Sequence, residues 1–393
     1  MFMRYSLSTA KLSTMNKKKK TNKVAVVGAG LSGLVCAQAL ADKGFEVVVV
    51  DKGRQPGGRL ASRERDPGFD YGAQYFTVSD LRFREVVDGW LEKGLVLPWN
   101  GRFAIAEQER VGEDYSLSPS SPRKQRYVGV PKMNAFALAL SCELAKSATV
   151  LTQHRVTRLE IDSDSCYRIL GEKPGDSSLE QVQSQGESQE GAESSQESAL
   201  DCFGLNGFNY VVLNLPPLQV AALIATAGGA LPAILQASKC FESVDQVELS
   251  PCFALMVQFA QPLALEFDGI KVSNSALAWV ASDSSKPGRT GENWVLHASP
   301  EWSHLHLEDS LPDVSAALLT ELGLLTRQDL PPVTFSKCHR WRYALAPNPL
   351  AVGSLLDSAN KIGYCGDWCQ GNNIEAAFLS GRHMAELIVR DAS

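Results

Sequence analysis

One stretch, Val24 to Arg59, restricts the folds open to this chain more than any other. An apolar run, Val24–Val27, leads into Gly28-Ala29-Gly30-Leu31-Ser32-Gly33, and a second apolar run, Val47–Val50, ends at Asp51. Leu31, Leu34, Val35 and Leu40 recur at helical spacing, so the segment predicts strand, glycine turn, helix and strand. In such a unit Gly28 permits the turn, Gly30 lets main chain approach a pyrophosphate, and Gly33 lets helix pack on strand. The phosphates would sit at the helix N-terminus, where free N–H groups and the helix dipole favour negative charge. Asp51 would accept from ribose hydroxyls. A glycine turn in an ordinary α/β domain gives no reason for that acid.

The next residues narrow the dinucleotide. Gly57-Gly58-Arg59 follows the acid, where a plain nicotinamide dehydrogenase continues into its next helix. A glycine pair lets main chain lie against a flat ring system without Cβ clashes, and the adjacent guanidinium offers a fixed positive fork. This pattern resembles the glycine-doublet flavoprotein oxidases, which include amine oxidases, phytoene-type desaturases and renalases. The resemblance implies FAD.

At 393 residues the chain exceeds what one core usually serves, and two interleaved domains are expected. No apolar run approaches the ~18 residues needed to span a bilayer. The nine cysteines include no CxxC and no accompanying histidine cluster, so no metal site is expected and reduced thiols in a cytoplasmic setting are. Residues 1–22 read as a disordered basic tail, with Met15 as an alternative start and organelle targeting left open. Residues 171–200 carry seven acids against Lys173, a balance of −6 that equals the formal charge of the whole chain. So polar a segment cannot offset the entropy of ordering, and it is expected to be disordered. Its flanks, Tyr167–Leu170 and Tyr210–Leu213, read as the two strands of an overgrown hairpin. Nothing in the charge points to nucleic acid.

Further along, Leu60–Arg65 and Phe69–Tyr71 look extended, and Pro131 is placed to open a helix over Met133–Ala145. Thr334–Ala344 reads as a strand with Phe335, Lys337, His339, Trp341 and Tyr343 on one side. Ile362–Cys365 is a short strand, followed by Gly366-Asp367 and a helix from about Ile374 to Val389. The fold expected is α/β: a Rossmann-type FAD-binding domain (23–75, 131–239 and 346–393) interleaved with a smaller α+β substrate domain containing an antiparallel sheet (76–130 and 240–345).

Several segments together resemble the renalase branch of the doublet flavoproteins: the fingerprint with Asp51-Lys52, the doublet with Arg59, Gly72-Ala73-Gln74-Tyr75-Phe76-Thr77, His154-Arg155-Val156-Thr157, Lys337–Arg342 and Gly366-Asp367. The resemblance implies that Ser32 caps the pyrophosphate, that Asp51 and Lys52 lie at the adenosine ribose, that Gly58 belongs to the cofactor site, and that Arg59 approaches the flavin phosphates. It implies that Ala73 and Gln74 present main chain to the isoalloxazine, Val156 contacts the adenine side, and Asp367 holds the ribityl region. Ile374 and Glu375 would place N–H groups at the flavin O2 side. Tyr75, His339, Trp341 and Tyr343 would line the substrate pocket. No catalytic residue is assigned. Lys271, Lys286 and Lys337 are candidates by position for the lysine that amine-oxidising relatives hold near the flavin, and Cys365 and Cys369 do not form the family's covalent-flavin pattern.

The activity expected is an FAD-dependent oxidase, with non-covalent FAD, that oxidises a small molecule at the expense of O2 and releases hydrogen peroxide. Misreduced dihydro isomers of NAD(P)H are the renalase-like substrate. Amine or polyamine oxidation, or desaturation, is the alternative, and a flavin-binding sensor without turnover is a second one. Oligomeric state is left open.

Overall fold

The computed structural model describes residues 22–108, 115–121, 123–174 and 200–393. The expectations of a basic tail and of a disordered acidic insert therefore fall mostly outside the described residues.

The chain opens as β1 (Lys23–Val27), α1 (Leu31–Asp42) and β2 (Glu46–Val50). These strands belong to a six-stranded sheet in the order Leu355–Asp357, Ile362–Tyr364, Tyr210–Leu213, β1, β2, Thr149–Leu151. All neighbours are parallel except the edge pair formed by Leu355–Asp357. Alternation along β1 and β2 divides their side chains between two cores. Val24, Val26, Val47 and Val49 pack with α1, with helix Ala135–Leu144 and with helix Ile374–Asp391. Ala25, Val27, Val48 and Val50 pack on the other face with Val220, Leu223 and Ile224 of helix Pro217–Ala225. A sheet covered on both faces needs such uninterrupted apolar strands, and each fully buried valine contributes roughly 1.5–3 kcal/mol.

The second sheet has seven strands, in the order Val333–Leu345, Ser250–Phe259, Asn293–Ala298, Leu277–Ser282, Gly269–Ser273, Phe103–Glu107, Ser116–Pro119. It is antiparallel but for the pair Gly269–Ser273 and Phe103–Glu107. One face, with Phe253, Leu255 and Val257, packs on Val314, Leu318 and Leu322 of helix Leu311–Thr326. The alternate residues Cys252, Ala254 and Met256 face the other way, toward the first sheet's half of the molecule. The molecule thus combines an α/β Rossmann-type region with a second region of the α+β kind built on a largely antiparallel sheet.

Three local expectations are corrected. Tyr210–Leu213 does not pair with Tyr167; it lies between β1 and Ile362–Tyr364, because four apolar residues buried on both faces suit a central strand. The hairpin partner of Tyr167–Pro174 is Leu200–Phe208, hidden from the pattern by the polar run before it. Pro131 precedes its helix, which starts at Ala135, and Leu60–Arg65 begins as a 3-10 turn at Gly58–Leu60 rather than a strand.

Candidate functional site

β1 leads at Gly28 (φ 107°) into α1. A Cβ at Gly28 would lie 2.3 Å from the Asn214 carbonyl oxygen, and one at Gly33 would lie 2.1 Å from the Gly28 carbonyl oxygen. Both positions are therefore closed to a side chain. The N-cap, Gly30, has no side chain to satisfy the first N–H groups of α1, which have no partner inside the helix. Ser32 Oγ is buried, with the Cys365 thiol beside it. Uncapped amides and glycines that leave room fit a bound pyrophosphate.

Asp51 folds back over this turn. One carboxylate oxygen accepts from Ala29 N and the other from Gly53 N, each at 2.6 Å. The doublet comes next: Gly57 (φ 118°) and Gly58 (φ 55°) lie in the left-handed region, and Gly57 N donates to Ala29 O at 2.8 Å. Arg59 joins three distant segments. Its Nη2 meets Asp367 Oδ1 at 2.6 Å and its Nη1 donates to Ala344 O at 3.0 Å, so its fork is occupied by protein.

A cavity of about 1480 Å³ runs past all of these groups, more than the roughly 300–1,000 Å³ of a single drug-sized ligand. Among the residues expected at the site, Gly28, Gly30, Ser32, Asp51, Lys52, Gly58 and Arg59 line it. So do Ala73, Gln74, Tyr75, Val156, His339, Trp341, Tyr343, Asp367 and Ile374. Gly33 stands behind Gly28 in a packing role. Glu375 is turned away: its Oε2 accepts from Ser79 N and Asp80 N at 2.6 and 2.9 Å.

The far wall is the second sheet. His297 and His339 are both in register with Ala254, on the strands flanking it, and Trp279 is in register with His297. Two residues along, Trp341 faces Cys252. Tyr71 lies over this surface, 4.9 Å from the His339 ring and 5.6 Å from that of Trp341, and its carbonyl accepts from Trp341 Nε1 at 3.0 Å. Burial, with the Lys286 charge second, lowers the His297 pKa to about 4. Burial also lowers that of His339 and raises that of Tyr71. Both imidazoles are therefore neutral near pH 7 and offer hydrogen bonds rather than charge.

None of Lys271, Lys286 and Lys337 lines the cavity; among the described residues the one lysine that does is Lys52. Its carboxylates are Asp51, Glu64 and Asp367, so the aromatic wall carries no acid. Sequence reasoning missed Asn214, whose Nδ2 donates to Gly28 O at 3.1 Å, and missed Tyr71. It also missed the buried ion cluster behind Gln74, described below. Only its place after a predicted strand marks Asn214 in the sequence.

Comparison with known proteins agrees with this geometry. Residues 26–90 match the model of the NAD(P)-binding Rossmann-like domain. Over 76 residues the chain is 38% identical to a 4,4'-diapophytoene desaturase of Staphylococcus haemolyticus, covering 16% of this chain and 15% of that protein. Over 70 residues it is 44% identical to a phytoene desaturase of Rhodobacter capsulatus, covering 18% of this chain and 13% of that protein. The similarity thus spans about a seventh of those relatives. Among solved structures, an Exiguobacterium protein provisionally named protoporphyrinogen oxidase superposes with a TM-score of 0.67 at 14% identity, covering 94% of this chain and 98% of that one. Cyclohexylamine oxidase from Brevibacterium oxydans gives 0.65 at 12% identity, covering 95% and 99%. Putrescine oxidase bound to putrescine gives 0.62 at 13%, covering 94% and 99%. The solved structures share the fold of this chain, and the N-terminal match is to a Rossmann-like nucleotide-binding domain. They do not single out the renalase branch.

Proposed function

We propose that this chain is an FAD-dependent oxidase that dehydrogenates a small, flat organic substrate and passes the electrons to O2, releasing hydrogen peroxide. The observation that carries this reading is the single cavity joining the glycine fingerprint to the aromatic wall of the second sheet. Bound FAD would supply the hydride acceptor and the route to O2. The first turn of α1 with Ser32 would hold the pyrophosphate, Asp51 and Lys52 the adenosine ribose, and Val156 main chain the adenine side. Gly58, Ala73 and Gln74 would lie against the ring system. Asp367, fixed by Arg59, would hold the ribityl region, and the amides of Ile374 and Glu375 would face the flavin O2 side, where a helix N-terminus favours negative charge. Cys365 and Cys369 are buried away from the cavity, which supports a non-covalent flavin. All nine cysteines are unpaired, as in a reducing, cytoplasm-like compartment. No helix among the described residues is long and apolar enough to cross a membrane.

For the substrate, the names of the relatives support amine oxidation or desaturation over oxidation of dihydropyridines. The wall of Tyr71, Tyr75, Trp279, His339, Trp341 and Tyr343 suits a flat or cyclic molecule. It holds no carboxylate for an ammonium, so a neutral amine or an unsaturated hydrocarbon fits better than a polyamine. Misreduced NAD(P)H isomers are the second reading, favoured by that same lack of acid and by the absence of a lysine on this wall. Anaerobic mixing separates them. Cyclohexylamine is expected to bleach the flavin faster than putrescine, and air to restore the colour with hydrogen peroxide formed. Bleaching by the 2- or 6-dihydro isomers alone would select the second reading; FAD firmly held and reduced by none of these donors would leave a sensor or a substrate of another class, such as an unsaturated hydrocarbon.

Asp51→Ala removes the acceptor proposed for the ribose. Hydrogen bonds to a charged group contribute about 1.5–3 kcal/mol, so the Kd for FAD is expected to rise roughly ten- to hundredfold. Unchanged affinity in a flavin titration would place the ribose elsewhere.

A further inference from the structure

Directly behind Gln74 lie four ionised side chains, Asp70, Asp283, Lys286 and Arg289, none more than 3% exposed. Lys286 Nζ is 3.2 Å from Asp70 Oδ2 and 2.9 Å from Asp283 Oδ1. Arg289 reaches the same two carboxylates at 2.5 and 2.6 Å. Two positive and two negative charges balance. Such a cluster is a poor way to gain stability, because desolvating four ions costs about as much as their attraction returns, and well-packed apolar residues would do as well. What the cluster does accomplish is local. Asp70 Oδ1 also accepts from Met133 N at 2.9 Å and from Ser62 Oγ at 2.8 Å, and the main chain from Asp70 to Gln74 is tied to it.

Gln74 is the cavity-facing end of the network. Its Oε1 accepts from Lys286 Nζ at 3.1 Å, while its Nε2 donates to Asp70 O and Gly72 O at 2.5 and 3.1 Å. Every polar group of the amide is thereby oriented. The charged group of the cluster that touches Gln74 is the Lys286 ammonium, Asp70 meeting it only through its main-chain carbonyl, so the balanced quartet turns its positive end toward the cavity wall. The pKa of His297 is lowered first by burial and second by the Lys286 charge, in keeping with that orientation.

We propose that Lys286 is a positioning residue: through Gln74 it fixes the Gly72–Gln74 main chain and directs a buried positive charge toward the ring system of the bound flavin, making it more electrophilic. This rests on the FAD reading above.

Sulfite, which adds to electron-poor flavins and bleaches them, is the probe, titrated into the FAD-loaded full-length protein. Loss of one charge-assisted hydrogen bond is expected to weaken sulfite binding about tenfold in Lys286→Met and in Gln74→Met. The double variant should be no weaker than either single one, because both break one pathway, and Lys286→Arg, which keeps the cation, should stay within about threefold of the parent. Should Lys286→Met fail to fold, Gln74→Met and Lys286→Arg decide alone. Unchanged sulfite affinity in loaded Gln74→Met, or losses that multiply in the double variant, would overturn the proposal and leave the FAD reading intact. A parent protein that takes up no FAD would overturn the FAD reading itself.

Discussion

Asp70→Ala is expected to lower the stability of the whole molecule by about 3–5 kcal/mol, because it leaves two buried cations sharing one carboxylate. Asp70 is fully buried and is the acceptor for Lys286, Arg289, Met133 N and Ser62. Against a total of roughly 5–15 kcal/mol for a typical domain, the loss would be plain in the urea midpoint. A change under about 1 kcal/mol would mean that the cluster is hydrated. The same carboxyl gives the pH dependence a sign. Burial pushes its pKa up, but the Lys286 and Arg289 charges outweigh that and hold it below the ordinary 3.8. Its contribution is therefore complete above about pH 4 and is lost as pH falls further, through the folded value.

The second large effect is expected at Gly33. The atom that Gly33→Val adds would begin 2.1 Å from the Gly28 carbonyl oxygen and 2.6 Å from Asn214 Nδ2. The carbonyl is main chain and cannot swing aside, so α1 must lift from β1. Overpacking of this kind costs about 1–3 kcal/mol, and it displaces the first-turn amides from the cavity, so FAD uptake should be abolished. Gly89→Ala is the control. That helical site has nothing within 4 Å of the added atom, and the change should stabilise by roughly 0.5–1 kcal/mol. Normal FAD binding by Gly33→Val would show that the fingerprint does not carry the cofactor.

The two predictions differ in how visible their residues are in the sequence. Gly33 is legible because everything that gives it meaning, the strand Lys23–Val27, the helix Leu31–Asp42 and the acid Asp51, lies within one short stretch. The aromatic side of Val333–Leu345 is legible for the same reason: period-two alternation is local. Asp70 and Gln74 lie in one segment and Asp283, Lys286 and Arg289 in another, with Asp70 and Lys286 separated by 216 positions, and each alone looks like a solvated polar residue. The side-chain contacts of Glu375 are equally non-local, since its partners Ser79 and Asp80 are brought up by a different segment. The strand Leu200–Phe208 was hidden because its partner lies across the acidic run.

The interleaving of the chain also governs how it can fold. Arg59 meets Asp367 across 308 positions, and helix Ile374–Asp391 closes on α1 so tightly that a Cβ at Gly381 would lie 2.2 Å from the Ser32 carbonyl oxygen. On the ribosome, α1 therefore emerges long before the helix that covers it, with Leu34, Ala37 and Leu40 of its apolar face unprotected. Pairings of such long range fold slowly, because loop closure must precede the contacts that reward it. Until then the exposed surface is open to aggregation. The half-made chain cannot complete the cavity early, because Asp367 and Ile374, which line it, are made last.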